Sequence, residues 1–204
     1  MTDLTLFHAP NTRSFATLVL LEELGVPYRL HVLDFSKDEQ LSAAYLAINP
    51  MGKVPALKHG DAVVTEQVAI ALYLADLFAE KGLAPPLGDA LRGPYLRWMV
   101  FYAACLEPAA VDRAMKRDAG RRMMSPYGEF DTVMNAVQGQ LARGPWMLGE
   151  QFTAADVVWG TAFDWMTKFK IVAETPAIAA YIARYAARPA VAAARTKDAA
   201  LAKG

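Results

Sequence analysis

The sequence predicts two domains: an α/β domain with a mixed parallel and antiparallel sheet over residues 1–80, and an all-α helical bundle over residues 88–204. Three observations lead there. Strand-like alternation and helical spacing take turns through the first 80 residues, whereas no strand pattern recurs after them. Between the two, Lys81-Gly82-Leu83-Ala84-Pro85-Pro86-Leu87-Gly88 has the Gly and Pro density of a linker. Charge divides at the same place: residues 1–80 hold five Lys/Arg and ten Asp/Glu, and residues 81–204 hold sixteen and eleven, so −5 and +5 cancel to the overall zero.

The elements follow in order. Leu4, Leu6 and His8 alternate with Thr5 and Phe7, a strand. Ser14 to Gly25 carries Leu18, Leu21 and Glu22 at helical spacing, with Gly25 as a left-handed stop. Tyr28 to Leu33 is a second strand, and Leu41 to Ile48 a short helix closed by Asn49-Pro50. Pro55 to Lys58 and Ala62 to Thr65 form a hairpin about Gly60-Asp61. Glu66 to Glu80 is a helix with Val68, Leu72, Ala75 and Ala79 along one side. Beyond the linker, helices are expected over Leu91–Ala119, Tyr127–Leu141, Ala154–Phe169, Pro176–Ala187 and Ala190–Ala200, the first kinked at Pro108.

Composition narrows the function classes. The hydrophobic fraction of 54% excludes a disordered chain. Glu22, Glu66 and Asp76 interrupt every apolar run before the ~18 residues a membrane span needs. Met1-Thr2-Asp3 has no export pattern, so a cytoplasmic protein is expected, with no membrane partner. A single cysteine, Cys105, excludes an intrachain disulfide and a CxxC redox pair; with only His8, His31 and His59 besides, no metal site is expected. Zero net charge gives no indication of nucleic acid.

Three segments can carry chemistry. In Asn49-Pro50-Met51-Gly52-Lys53-Val54-Pro55-Ala56-Leu57, a trans Val54–Pro55 bond would make an ordinary strand start. A cis bond would turn the chain sharply and offer the amide and carbonyl of Val54 to an extended peptide. Thr65-Glu66-Gln67 opens a helix, where unpaired amides and the dipole favour a carboxylate, Gln67 adds a donor and Glu66 can hold an ammonium group; simple capping by Thr65 is the competing reading. His8-Ala9-Pro10-Asn11-Thr12-Arg13-Ser14 places amide and hydroxyl donors where the first helix begins, a position that stabilises a thiolate; capping competes here too.

Together these segments and the domain order resemble the cytosolic glutathione transferases, bacterial in type and theta- or beta-like, across essentially the entire chain. Met51-Gly52-Lys53-Val54-Pro55-Ala56-Leu57 is similar to the cis-proline segment of that family, Glu66 to the Glu of its Glu-Ser pair, and Trp146 to Asp156 to its helical folding motif. In the last, Thr153 and Asp156 also fit a capping box and Phe152 and Val157 a hydrophobic staple. The resemblance implies a thioredoxin-like first domain and a homodimer. It implies glutathione as co-substrate, held by Val54 and Pro55 at its cysteinyl backbone, by Glu66 and Gln67 at its γ-glutamyl end, and by Lys53 and Arg13 nearby. Gln67 stands where the family carries serine. No Tyr or Cys stands at the start of the first helix, so thiol activation falls to Thr12, Asn11 and Ser14 as a set, Thr12 foremost. The expected reaction is conjugation of glutathione to small hydrophobic electrophiles. The alternatives are a glutathione-dependent isomerase, a peroxide or disulfide reductase, and a non-enzymatic binding module.

The resemblance also implies an electrophile pocket between the domains, for which Trp98, Phe101, Tyr102, Trp165 and Phe169 are the aromatic candidates, beside Met99 and Met166. Arg113, Lys116, Arg117, Arg121 and Arg122 fall at helical spacing, a solvated face or a field that attracts anions. Cys105 is expected to be packing rather than a nucleophile.

Overall fold

The computed structural model describes residues 3–202. Met1 and Thr2, on which part of the N-terminal reading rests, lie outside the described residues. Contacts divide the chain into two compact units, one running up to Lys81 and taking in the segment from Ala187 onward, the other Gly82–Ala186.

The first unit is a four-stranded sheet, ordered β2-β1-β3-β4, with helices packed on it. β1 (Leu4–His8) lies parallel to β2 (Arg29–Val32) and antiparallel to β3 (Ala56–His59), which pairs antiparallel with β4 (Ala62–Thr65). The parallel pair needs a crossover, which α1 (Ser14–Leu24) supplies before Gly25 stops it at φ +62°. α1 is buried at Ser14–Leu21 and at Leu24, because α3 and α9 pack on it as well as the sheet. Between β2 and β3 the expected helix shrinks to α2 (Ala43–Leu46), preceded by two 3₁₀ turns at Phe35–Lys37 and Glu39–Leu41. α3 (Gln67–Leu77) buries Val68, Ile70, Ala71, Leu74 and Ala75, a stripe offset from the one expected through Leu72 and Ala79.

The helix α9 (Pro189–Leu201) groups with the sheet rather than with the other helices, unlike the division at residues 80 and 88 read from composition. Side-chain pairs fasten it to this unit. Arg188 grips Glu23 through Nε (2.5 Å) and Nη2 (2.7 Å), Lys197 reaches Glu22 at 2.6 Å, and Asp198 lies 3.0 Å from Nε2 of His8. A fork of this kind fixes both position and orientation.

The second unit contains the helices α4 (Arg92–Phe101), α5 (Glu107–Ala114), α6 (Phe130–Leu141), α7 (Ala154–Lys168) and α8 (Pro176–Ala186). The long helix expected through Pro108 is instead α4, a π turn at Tyr102–Leu106, and α5 with Pro108 in its first turn. A proline there has no N–H and its ring crowds the carbonyl four residues back; the wider i→i+5 turn, seen in the Glu107 amide bonding Tyr102 O, accommodates both. α5 then ends, and Lys116 takes φ +54°. The basic run is therefore not one helical face: Arg113 lies over the Phe130 ring at 4.3 Å, and Arg117 pairs with Asp112 at 3.7 Å.

α7 is the centre of this unit, with twelve of its residues buried. Gly160 lets it approach α8, since a Cβ there would sit 2.4 Å from the Tyr185 ring. The capping box at its start is present as expected, with Asp156 accepting from Thr153 N (2.8 Å), Met147 N (2.7 Å) and the Tyr181 hydroxyl (2.8 Å). Burial pushes the Asp156 carboxyl up to about 6 against these hydrogen bonds, which hold it down.

Candidate functional site

Register brings the three candidate segments to one end of the sheet. Phe7, Ala56 and Thr65 form one row across β1, β3 and β4. The chain leaves β1 just beyond Phe7 into the Asn11–Ser14 turn, enters β3 from Val54–Pro55, and leaves β4 at Thr65 into Glu66 and α3. Segments read separately in the sequence are thus neighbours because of strand pairing.

The Val54–Pro55 bond is cis. The preceding carbonyl, Lys53 O, is held by the Tyr45 hydroxyl at 2.5 Å and by Asn49 Nδ2 at 2.7 Å, both side chains buried. Burial raises the Tyr45 phenol to about 12, so it stays a donor. Asn49 also accepts from Met51 N at 3.1 Å, and its carbonyl accepts from Gly52 N at 2.9 Å. Gly52 has φ +60°, and a Cβ there would meet Leu41 Cδ2 at 3.0 Å and Gln40 O at 3.1 Å, so the turn admits no side chain without displacement. Among the described residues the amide and carbonyl of Val54 have no partner within the chain. Lys53 is exposed. The sequence does not single out Tyr45, and it marks Asn49 only as the residue before Pro50 in the turn segment.

At α3 the cap is Glu66, not Thr65, which instead ends β4 opposite Ala56. Glu66 is exposed, makes no side-chain capping bond, and sits at φ +68°, ψ +116°. That region is costly for a residue with a Cβ, by about 1–3 kcal/mol, and such residues cluster at ligand sites. The first-turn amides of α3 therefore point outward without a side-chain cap, beside the half-buried Gln67.

In the first turn Asn11 has φ +56° and is exposed, as is Arg13, the N-cap residue of α1, which makes no side-chain capping bond. The Thr12 hydroxyl lies 2.7 Å from Ala9 O, to which it can donate, and 2.7 Å from Ser14 Oγ. Ser14 is fully buried, and its Oγ lies 2.7 Å from Nδ1 of His8 and 3.2 Å from Ala9 O. Ser14 thus faces the interior, and Thr12 is the hydroxyl of the set that keeps exposed surface. Burial holds His8 below its ordinary pKa of 6.5, opposed by the Asp198 carboxylate.

The aromatic candidates fall into two groups within the second unit. Trp98 and Tyr102 are buried, with ring centroids 5.7 and 5.8 Å from Trp159, whose Nε1 donates to Trp98 O at 3.1 Å; Phe101, half-buried, lies 6.4 Å from the same ring. Trp98 and Tyr102 are core residues here, organised by Trp159, a tryptophan not singled out from sequence. Trp165 and Phe169 pair at 5.9 Å, with Phe169 68% exposed. Cys105 stands half-buried in the π turn, its thiol pushed up by burial despite Arg97 nearby. Among the described residues no group of three or more His, Cys, Asp or Glu side chains comes together to hold a metal, and no helix is long and apolar enough to cross a membrane.

This fold and site define a class: a thioredoxin-like domain, with open backbone groups at one sheet end, joined to an all-helical domain. Comparison with known proteins specifies the family. Residues 2–76 match the family described as glutathione S-transferase, N-terminal domain, and residues 108–184 the glutathione S-transferase C-terminal domain. The chain is 30% identical to glutathione S-transferase GstA of Escherichia coli O157:H7, over 91% of this chain and 94% of that protein. It is 27% identical to the disulfide-bond oxidoreductase YfcG of Escherichia coli K12, over 91% of each. Among solved structures, a glutathione transferase from Methylococcus capsulatus superposes with a TM-score of 0.81 at 31% identity, covering 96% of this chain and 98% of that one. A Sulfitobacter homologue with bound glutathione gives 0.76 at 29%, covering 97% and 99%. The chain belongs to the glutathione S-transferase family.

Proposed function

We propose that this protein binds glutathione along the open end of its sheet and transfers the sulfur, as thiolate, to small hydrophobic electrophiles. The observation that carries this reading is the Phe7–Ala56–Thr65 row, which gathers a hydroxyl turn, an unpaired backbone amide and carbonyl, and an uncapped helix start into one place. Val54 pairs with the cysteinyl backbone in the strand-addition manner, with Pro55 holding it in place. Gln67, the α3 amides and Glu66 take the γ-glutamyl carboxylate and ammonium, with Lys53 and Arg13 at the margin. Thr12, assisted by Asn11, donates to the sulfur, and Ser14 orients Thr12 from behind. A free thiol has a pKa of about 8.5, and each unit of lowering requires about 1.36 kcal/mol of differential stabilisation. The thiolate then attacks an aryl halide, epoxide or activated alkene directly, with no covalent enzyme intermediate. Phe101, Trp165 and Phe169, which keep exposed surface, are the proposed aromatic contacts for the electrophile, while Trp98 and Tyr102 belong to the core around Trp159. Homodimer assembly and a cytoplasmic location come with the family resemblance and are proposed on that basis.

Calorimetry with glutathione is expected to give saturable heat, and chlorodinitrobenzene to be consumed in its presence. A protein giving no heat would be a binding scaffold without this ligand. The second reading, a disulfide reductase, is favoured by the YfcG relative. Cys105 lies in the helical unit with a raised pKa, so such a reductase would work through the sulfur of glutathione itself. Turnover of a small alkyl disulfide with no conjugation of chlorodinitrobenzene would establish it, and a cis-enone substrate tests the isomerase.

Glu66 separates ligand binding from folding. Glu66→Gly relieves the positive φ and should stabilise the protein by about 1 kcal/mol, read as a rise in Tm. The same change removes the ammonium partner and should weaken glutathione about tenfold, the expected loss for one charge-assisted hydrogen bond of ~1.5 kcal/mol. A loss of stability instead would mean that Glu66 serves the fold.

A further inference from the structure

Behind Thr12 lies a chain of polar contacts that the proposed chemistry does not by itself require. It runs from the Asp198 carboxylate to Nε2 of His8 (3.0 Å), from Nδ1 of His8 to Ser14 Oγ (2.7 Å), from Ser14 Oγ to Thr12 Oγ1 (2.7 Å), and from Thr12 Oγ1 to Ala9 O (2.7 Å). Four contacts need four hydrogens. The two ends, a carboxylate and a carbonyl, supply none, and a neutral imidazole and two hydroxyls supply three. The neutral chain is one proton short, so the single Thr12 hydrogen must serve either Ser14 or Ala9 O.

The vacancy has a defined place to fill. The His8 side chain has no exposed surface, and Asp198 is the charge facing it: α9 presents that carboxylate, α1 presents the Ser14 hydroxyl, and the register partner on β2 is Val32. Nε2 of His8 and Oδ1 of Asp198 face each other at 3.0 Å as an ion-pair contact and make no hydrogen bond of good geometry, while Oδ2 accepts from Asn11 N at 3.3 Å. An imidazolium formed here is therefore paired at once, and its Nδ1 proton points along the chain toward Thr12, the half-exposed member. α9 brings Asp198 to this position, which gives the grouping of the last helix with the sheet a chemical consequence.

We propose that the His8–Asp198 pair is the acceptor of the thiol proton, reached through Ser14 and Thr12. This rests on the reading that a thiol binds beside Thr12. As the S–H bond breaks, its proton passes to Thr12 Oγ1, the Thr12 proton passes to Ser14 Oγ, and the Ser14 proton passes to Nδ1 of His8. The products are a thiolate and an imidazolium facing the Asp198 carboxylate, with no atom or electron unaccounted for. The bonds from the sulfur to Nδ1 of His8 reverse direction, the contact of Nε2 with Asp198 is unchanged, and Thr12 now presents its hydrogen to the thiolate, a charge-assisted bond that outcompetes Ala9 O. After displacement on an aryl halide the proton leaves to solvent; after addition to an activated alkene it goes to the new carbanion. His8 and Asp198 touch no substrate and act as positioning and proton-holding residues.

With only three histidines in the chain, nitrogen NMR of histidine-labelled protein resolves His8, with His8→Asn as the assignment control. Bound glutathione is expected to convert Nδ1 of His8 from an acceptor to an imidazolium N–H at a pH where the free protein, its His8 held low by burial, keeps the ring neutral. S-methylglutathione, which has no thiol proton, should bind without that change. Asp198→Asn should lower the share of bound glutathione present as thiolate by about tenfold, seen in its ultraviolet absorbance, because one pKa unit is lost with the carboxylate. Glutathione that binds and ionises while His8 stays neutral overturns the relay and leaves the proposed function standing. Failure of both ligands to bind overturns the two together.

Discussion

Thr12→Val should leave glutathione binding nearly intact and reduce kcat/KM for chlorodinitrobenzene about a hundredfold, the usual cost of deleting one donor aimed at developing negative charge. Binding should survive because in the proposed mode it rests on Val54, Glu66 and Gln67, which lie on other segments. The reaction suffers because valine keeps the shape of threonine and removes its hydroxyl. The same loss should move the ascending acid limb of the kcat/KM profile upward by about two pH units, since a hundredfold is two units of thiol pKa. Thr12→Ser restores a hydroxyl and should recover most of the rate. Valine also deprives Ala9 O and Ser14 Oγ of a partner, so a loss of about 1 kcal/mol in stability accompanies the change without explaining the pH shift. An unaltered profile for Thr12→Val together with a shifted one for Asn11→Ala would transfer the role to Asn11.

The first unit was largely legible because its signals are local. Alternation from Leu4 to His8 marks a strand, Gly25 marks a helix stop, and the Asn49-to-Leu57 segment carries its turn residues in sequence. What stayed hidden was set by contacts distant along the chain. The spacing of α9 shows an apolar side, yet nothing in it says that Asp198 will meet His8 or that Arg188 will meet Glu23. Ser14 reads as one more donor in a polar turn; only the imidazole beneath it turns its hydroxyl inward. Trp98 and Tyr102 are pocket candidates by residue type and spacing, and the spacing does not say that Trp159 packs on both rings. The basic run after Pro108 keeps helical spacing on paper, but α5 ends at Ala114, and left-handed Lys116 and Gly120 (φ +73°) turn the chain away. Thr65 made the better cap by residue type. It lost to strand pairing, which held it in β4 and left the cap position to Glu66 in a conformation no propensity favours.

Asp156→Ala should produce the largest loss of stability, about 4 kcal/mol, because four buried donors lose their acceptor together. For a chain of this length that corresponds to a Tm lower by roughly 10 °C. The donors come from three places: Met147 in the turn before α7, Thr153 at its cap, and Tyr181 on α8. One carboxylate thus ties the α7 start to α8, and the penalty exceeds the ~1 kcal/mol of an ordinary helix cap. Asp156→Asn should cost about half as much, since the amide keeps one oxygen but turns an NH₂ toward a backbone N–H that cannot reverse. The pH dependence has a defined sign. Asp156 titrates at about 6 in the folded protein and near the ordinary carboxylate value of 3.8 when unfolded, so the folded state holds the extra proton between those values. Its contribution to stability is complete below about 4 and declines as pH rises through about 6. Asn has no such proton, so the difference in Tm between wild type and Asp156→Asn should narrow across that window. A difference that instead widens with pH would mean that the four hydrogen bonds to the carboxylate outweigh its burial and hold it ionised throughout.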